Sequence, residues 1–341
     1  MKLKIYSLLG CLFGSNLIVF VLYFFSINNN SSGFIRRLPS HKIIGSTFKD
    51  IKYNSWYIAG FIRKDIYLGN SIGPGRMLKI DYSLEESVDV RLTGLDNLQI
   101  YRGALIQIDS PCFYLMDGIK PIILKGALRN KGFTNQIKAP YFTAVTPLTQ
   151  NAFALRYVNA KNENVLARLT VGSGPLKRAH LLKKQVDGLF CTDGEMVKVP
   201  GTSKMIYVYY YRNEFLCADS SLNLIYKGKT IDTISMAQIK VEKIISTGET
   251  TMAAPPLYVN KRACANRKYL FVQSALRANN ETEYMIKDVS VIDVYLIENG
   301  KYQFSFYLPD FKGNKVRNFK VDGQSLYALY DHYLYKYQLN F

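Results

Sequence analysis

At 341 residues, 48% hydrophobic and only 21% charged, the chain is long enough to bury a sizeable core and too apolar to be disordered. Its formal charge of +18 points to anionic partners. The basic residues are scattered, however, and no nucleic-acid module surrounds the densest runs, Lys177–Lys184 and Lys261–Lys268, so nucleic acid is not an expected partner. With 26 Tyr and 19 Phe against a single Trp, Trp56, the composition favours half-buried pleated surfaces.

The first element is hydrophobic. Ile5 to Ile27 is a run of 23 uncharged residues preceded by Lys2 and Lys4, long enough to cross a bilayer as one helix. It ends Leu22-Tyr23-Phe24-Phe25-Ser26-Ile27, which lacks the small residues of a signal-peptide cleavage site and suits an interface belt. Two rivals stay open: a cleaved signal, and a lipoprotein in which Leu8-Leu9-Gly10-Cys11 serves as a loose lipobox. Arg36 and Arg37 oppose Lys2 and Lys4 in setting orientation, but the polar stretch Asn28–Gly33 holds them away from the helix. The expected organisation is a membrane anchor over 1–27, a polar linker over 28–40 and one β domain over 41–341. That domain would lie outside the cytoplasm, in the periplasm of a single-pass inner-membrane protein. Setting the four flanking cations aside leaves 40 basic against 26 acidic residues. A solvated, net-positive surface accounts for that as readily as an anionic partner does.

From about residue 40 the pattern becomes short strands broken by turn residues. Trp56–Ala59, Asp65–Gly69, Met77–Asp81 and Val88–Leu92 read as four strands at eight-to-twelve-residue spacing. One hairpin then recurs. Ile206–Tyr210 turns at Arg212-Asn213 into Glu214–Asp219; Leu326–Tyr330 turns at Asp331-His332 into Tyr333–Tyr337; Trp56–Ala59 turns at Arg63-Lys64 into Asp65–Asn70. Further outer hairpins are expected over Phe153–Leu169 and Val291–Leu308. Sheets of this kind must pack in pairs or repeat around an axis, and about 300 residues at roughly 40–50 per blade give a propeller of six blades, or seven. The expected blades are 53–95, 96–138, 139–180, 181–235, 250–310 and 311–341, with residues 41–53 supplying the strand that the short last blade lacks. Leu176–Gln185 has the spacing of a short amphipathic helix.

The stretches Trp56–Asn70, Asp187–Gly194, Tyr207–Asp219, Tyr226–Thr233 and Tyr307–Gly313 resemble a group of uncharacterised, membrane-anchored six-bladed β-propeller-like proteins of Bacteroidota. The resemblance covers most of the chain after residue 40. It implies the propeller fold and brings no activity and no catalytic residues.

The chemistry is sparse. His41, His180 and His332 fall in different elements and read as capping or solvent-facing side chains. There is no G-x-S-x-G elbow, and Gly172-Ser173-Gly174-Pro175 lacks the frame of a phosphate loop. No C-x-x-C pair occurs. Cys191 and Cys217, in neighbouring strands, could bridge in an oxidising compartment or serve as small buried hydrophobes. No cofactor and no metal site are expected. The pairs Asp117-Gly118, Asp187-Gly188, Asp193-Gly194 and Asp322-Gly323 suit tight turns, although Asp187 and Asp193 frame Leu189–Thr192 as carboxylates at each end of a strand. Carboxylates and arginines gathered at a channel or ring face would make a binding site. The candidates are Asp117, Arg156, Asp187, Asp193, Arg212, Asp232 and Asp293. The leading expectation is a non-catalytic scaffold that binds a protein or an anionic polymer there. The alternative is a propeller enzyme, either a metal-dependent hydrolase or lactonase-like protein or an oxidoreductase component. In its calcium form Asp117, Asp193, Asp232 and Asp293 would converge on the axis.

Overall fold

The computed structural model describes residues 12–21, 32–40, 43–96, 98–128, 132–173, 176–244, 246 and 250–341. Residues 12–21 form a helix, α1, with Phe13, Ile18, Val19 and Phe20 exposed. No described helix is long and apolar enough to cross a membrane. The expected span over residues 5–27, with Cys11, extends outside the described residues at both ends, and His41 lies outside them too.

Strand β1 (Ile43–Asp50) is followed by five four-stranded sheets and a three-stranded meander that β1 completes into a sixth. Blade I holds β2 (Trp56–Ile62), β3 (Asp65–Asn70), β4 (Arg76–Asp81) and β5 (Ser87–Arg91). Blade II holds β6 (Leu105–Asp109), β7 (Cys112–Asp117), β8 (Ile122–Ala127) and β9 (Gly132–Lys138). Blade III holds β10 (Ala144–Thr149), β11 (Ala152–Val158), β12 (Asn164–Thr170) and β13 (Lys177–Ala179). Blade IV holds β14 (Gly194–Lys198), β15 (Met205–Tyr209), β16 (Phe215–Ala218) and β17 (Leu224–Gly228). A two-stranded insertion, β18 (Val241–Lys243) with β19 (Thr250–Met252), precedes blade V: β20 (Asn260–Ala265), β21 (Tyr269–Ser274), β22 (Val289–Leu296) and β23 (Tyr302–Pro309). Blade VI is β24 (Asn318–Asp322), β25 (Ser325–Tyr330) and β26 (Tyr333–Leu339), and β1 adds to β26 as its outermost strand in antiparallel register from Ile43↔Leu339 to Asp50↔Tyr333. The chain is a six-bladed β-propeller.

The sequence explains why the middle strands read as unbroken apolar runs. β7 (CFYLMD) and β15 (MIYVY) are buried at every position because each face of a blade packs on a neighbour. Six apolar clusters fill the six seams: Met77 with Phe113, Tyr114 with Phe153, Leu166 with Tyr207, Val208 with Leu270, Phe271 with Leu326, and Trp56 with Tyr327 each mark one. Position in the blade also corrects the repeat. Two copies of the recurring hairpin are the middle strands β15–β16 and β25–β26, whereas the third, β2–β3, is an inner pair. Their likeness records two-sided burial rather than one fixed place. The expected helix over Leu176–Gln185 is instead β13 and a loop, because residues 177–179 pair with β12 as the blade's outer strand. The only other described helix is the short α2 (Glu283–Lys287), capped by Thr282.

Every innermost strand begins at the same end of the ring, termed the upper face. It carries the loops between blades and those joining second to third strands. Residues 32–37 run down the side of blade V from that face. Asn279 Oδ1 accepts from Ser32 N (2.7 Å), Asn280 Oδ1 from Arg36 N (3.0 Å), and Arg37 O accepts from Ser305 N (2.8 Å). This part of the expected polar linker is therefore built into the domain, with Phe34 and Arg36 buried.

Candidate functional site

The six inner strands surround a channel of about 1330 Å³ to which every blade contributes. An inner strand has one edge with no partner in its own sheet, so its polar groups must be satisfied across a seam or by water. Side chains do much of this. Tyr57 Oη accepts from Ile106 N (2.5 Å), Gln107 Nε2 donates to Thr146 Oγ1 (3.3 Å), and Lys198 Nζ donates to Leu148 O (2.5 Å). Glu195 Oε2 accepts from Ala263 N (2.6 Å), Lys320 Nζ donates to Ala59 O (3.3 Å), and Asn318 Oδ1 accepts from Ile58 N (3.2 Å).

The channel wall is net basic, with Lys198, Arg262, Arg267, Lys268, Arg317 and Lys320 against Asp109, Glu195 and Asp322. Asp322 already accepts a hydrogen bond from Tyr82. Burial shifts several of the others. It pushes Glu195 up, against the pull of Arg262, the Ala263 amide and Lys320. It pushes Lys320 down, opposed by Cys264 and Glu195, and Lys198 down, opposed by Asp109. Asp109 rises for the same reason. By accessible surface Glu195, Lys198 and Lys320 are only half-buried, because they face the channel space while protein surrounds them on all sides. Glu195, Cys264 and Lys320, from blades IV, V and VI, thus form one electrostatic group. The Cys264 thiol is pushed well up by burial, which is the reverse of an activated nucleophile.

None of the seven residues predicted from sequence lines this channel. Each supports the upper half of the ring. Asp117 caps its own turn, accepting from Ile119 N and Lys120 N (both 3.0 Å), and also takes Tyr101 N (2.8 Å). Arg156 pairs with Asp193 and donates to Gly194 O (2.9 Å) and Tyr207 Oη (3.0 Å), joining blade III to blade IV. Burial works against its charge, but Tyr207 and Asp193 more than offset it. Asp187 accepts from Leu189 N and Phe190 N (both 2.6 Å), so residues 188–193 are a capped turn and not the expected strand. Arg212, 1% exposed, stacks on Tyr209 with its guanidinium carbon 3.6 Å from the ring centre, and donates to Lys183 O and Cys191 O. Asp232 accepts from Thr230 Oγ1 (2.5 Å) and Ile234 N (3.0 Å), while burial pushes its carboxyl up. Asp293 binds Arg36 and Ser305.

The structure brings Arg156 and Asp193 together, and Asp232 close enough to Asp293 to feel its charge. It does not gather Asp117, Asp193, Asp232 and Asp293 at the axis, and the described residues hold no group of three or more His, Cys, Asp or Glu arranged for a metal ion. Cys191 and Cys217 are free buried thiols in separate clusters, as are Cys112 and Cys264. His180 is exposed, and His332 Nδ1 meets Asp331 Oδ2 at 2.7 Å in the blade VI turn.

The fold and channel define a six-bladed propeller with a polar, net-basic axis. No family model matches the chain, and no curated protein matches it. Among solved structures it is similar to a member of the DUF4221 family from Bacteroides vulgatus, with a TM-score of 0.54 at 10% identity over 89% of this chain and 99% of that one. A catalytically inactive virginiamycin B lyase from Staphylococcus aureus, solved with quinupristin, gives 0.48 at 11% identity over 88% and 99%. Hydrazine synthase from Kuenenia stuttgartiensis gives 0.42 at 10% identity over 84% and 76%. At these values the first likeness speaks for the fold alone and the other two carry no argument.

Proposed function

We propose that the protein is a membrane-tethered, extracytoplasmic binding propeller of the Bacteroidota type that takes an anionic group, free or at the end of a polymer, into its channel. The observation that carries this is the channel wall, where six basic side chains face three acidic ones and every blade contributes. Low-dielectric walls of one prevailing sign focus a field on the axis and favour anions there. Binding of a fluorescent oligoglutamate to the full chain in detergent tests it. Lys320→Met with Arg262→Gln is expected to weaken binding about tenfold, roughly 1.4 kcal/mol. Because burial lowers Lys198 and Lys320 below the ordinary 10.5, both lose their protons early, and affinity falls as pH rises from neutral towards that value. Unchanged affinity in the double variant refutes the reading.

A second reading has one observation behind it. A carboxyl pushed up and an ammonium pushed down in one cavity, Glu195 and Lys320, is the pattern of an acid–base pair. An enzyme built on that pair would lose turnover in Glu195→Gln, whereas a binding channel would keep its oligoglutamate affinity.

A further inference from the structure

The two ends of the ring differ in character. Among the described residues, twelve large hydrophobic side chains are exposed in the upper loops, among them Tyr53, Ile72, Ile119, Met236, Tyr258 and Tyr284, against Val171 alone in the lower loops. The upper loops are less than three times as long in total, so length does not account for twelve against one. Tyr284, on α2, is 90% exposed. Isolated exposed apolar residues are ordinary, but one face carrying nearly all of those in the loops marks an interaction surface.

The path of the N-terminal segment identifies the occupant. Ser32 is fixed at this same face, its amide on Asn279 Oδ1 (2.7 Å) and its carbonyl accepting from Thr233 Oγ1 (2.8 Å). Only four residues lie between Ile27, the end of the uncharged run, and Ser32, a leash of no more than roughly 18 Å fully extended. Headgroup layers are several ångströms thick on each side of the hydrocarbon. A leash this short, leaving from the apolar face, holds that face against the bilayer. Tyr, Met and Ile at loop tips suit the interfacial zone, where aromatic rings sit with one wet end. Charges in the upper loops nearly cancel, so contact does not need anionic lipid.

We infer that the upper face of the propeller lies on the lipid surface, with the loop tips inserted at headgroup level and the lower mouth of the channel open to solvent. This rests on the tether proposed above. Arg267 and Lys268, in the lower turn of blade V, then form the accessible rim of the channel.

The test uses the full chain in phosphatidylcholine vesicles, with Trp probes placed by Tyr284→Trp and Val171→Trp. Native Trp56 is buried and gives a constant background. With lipids brominated near the head group, the emission added by Tyr284→Trp is expected to fall by more than half and that added by Val171→Trp to stay, at low and high salt alike. If the chain floats with the vesicles and both probes are unquenched, the tether stands and the orientation is overturned, leaving a protein or a second copy as the occupant of the face. If quenching appears only with anionic lipid and vanishes in salt, basic adhesion replaces apolar insertion and the inference fails. If the chain does not float, tether and orientation fall together.

Discussion

Replacing Arg36 tests how firmly the N-terminal segment belongs to the domain. Arg36 is 2% exposed, and its side chain is wholly buried. Its Nε donates to Asp293 Oδ1 (2.8 Å), its Nη1 to Glu281 and to Leu276 O (3.1 Å), and its Nη2 lies 3.3 Å from Asp293 Oδ2. Burial penalises the charge, but Asp293 and then Glu281 outweigh that and hold it on the guanidinium. The carboxylates have neutral donors as well: Tyr307 Oη and Ala278 N on Glu281, Ser305 Oγ on Asp293. Those donors cannot replace a cation. Arg36→Met keeps the packed stem and strands two buried carboxylates, a change that costs about 3–5 kcal/mol. At roughly 2 °C per kcal/mol for a large domain, melting should fall by about 6–10 °C, read by circular dichroism. Arg37→Met, at an exposed neighbour, should stay within about 0.5 kcal/mol. Adding Asp293→Asn to Arg36→Met should return part of the loss, because contacting residues are coupled. A melting point in Arg36→Met within about 2 °C of the parent protein would refute the reasoning and return residues 32–37 to the status of a linker.

Glu195→Gln keeps an acceptor for the Ala263 amide and removes a carboxyl whose folded pKa is raised above 4.5. The folded state therefore binds protons more readily than the unfolded one. Its penalty is absent below pH 4.5 and grows as pH rises through the raised value, so the variant should melt above the parent at pH 7 and with it at pH 4. The buried thiols predict that native protein leaves Cys112, Cys191, Cys217 and Cys264 unlabelled by a maleimide, that unfolding releases all four, and that a reductant leaves the melting point unchanged. Slow labelling of none but an unfolded form is the diagnostic. A reductant-sensitive melting point would restore the Cys191–Cys217 bridge.

The fold was legible because burial on both faces of a blade leaves a strong mark. β7 and β15 announce themselves as apolar runs, and Gly, Asn and Asp punctuate them at blade spacing. The strand missing from the last blade could also be inferred, since β1 lies in the residues left over at the other end. The site was not legible, for a geometric reason. The channel takes only a few polar side chains from any one inner strand, so Gln107, Glu195, Arg262 and Lys320 lie far apart in the chain with no local motif. An Asp-Gly pair is conspicuous and belongs to a turn; a single Glu or Lys in a short strand is inconspicuous and faces the axis. One signal was available. Glu195 and Lys198 occupy the strand Gly194–Lys198, whose partner β15 is wholly apolar, and charges in a first strand beside a fully buried second strand have only the axis to face. Arg36 misled for the converse reason, because an arginine near a hydrophobic run reads as a topology signal while its carboxylates lie more than 240 residues away.

The closure of the ring ties these features into one order of events. β1 pairs with β26 across nearly the whole chain, Ile43 with Leu339, whereas most other strand pairs join neighbours in sequence. Local pairs form without long loop closure, so blades I to V can assemble as the chain is made, while blade VI waits for its C-terminal hairpin. The strap over residues 32–37 packs on blade V and lies just ahead of β1 in the chain, and Arg36 finds Asp293 and Glu281 only once blade V exists. A strap docked first would position β1 beside the edge it must join. A strap lacking Arg36 would leave β1 searching from a loose segment, with Tyr333 and Tyr335 at an unpaired edge in the meantime. On that order, loss of the ion pair should slow refolding as well as lower the melting point, and an unchanged refolding rate in Arg36→Met would show that the strap docks after closure.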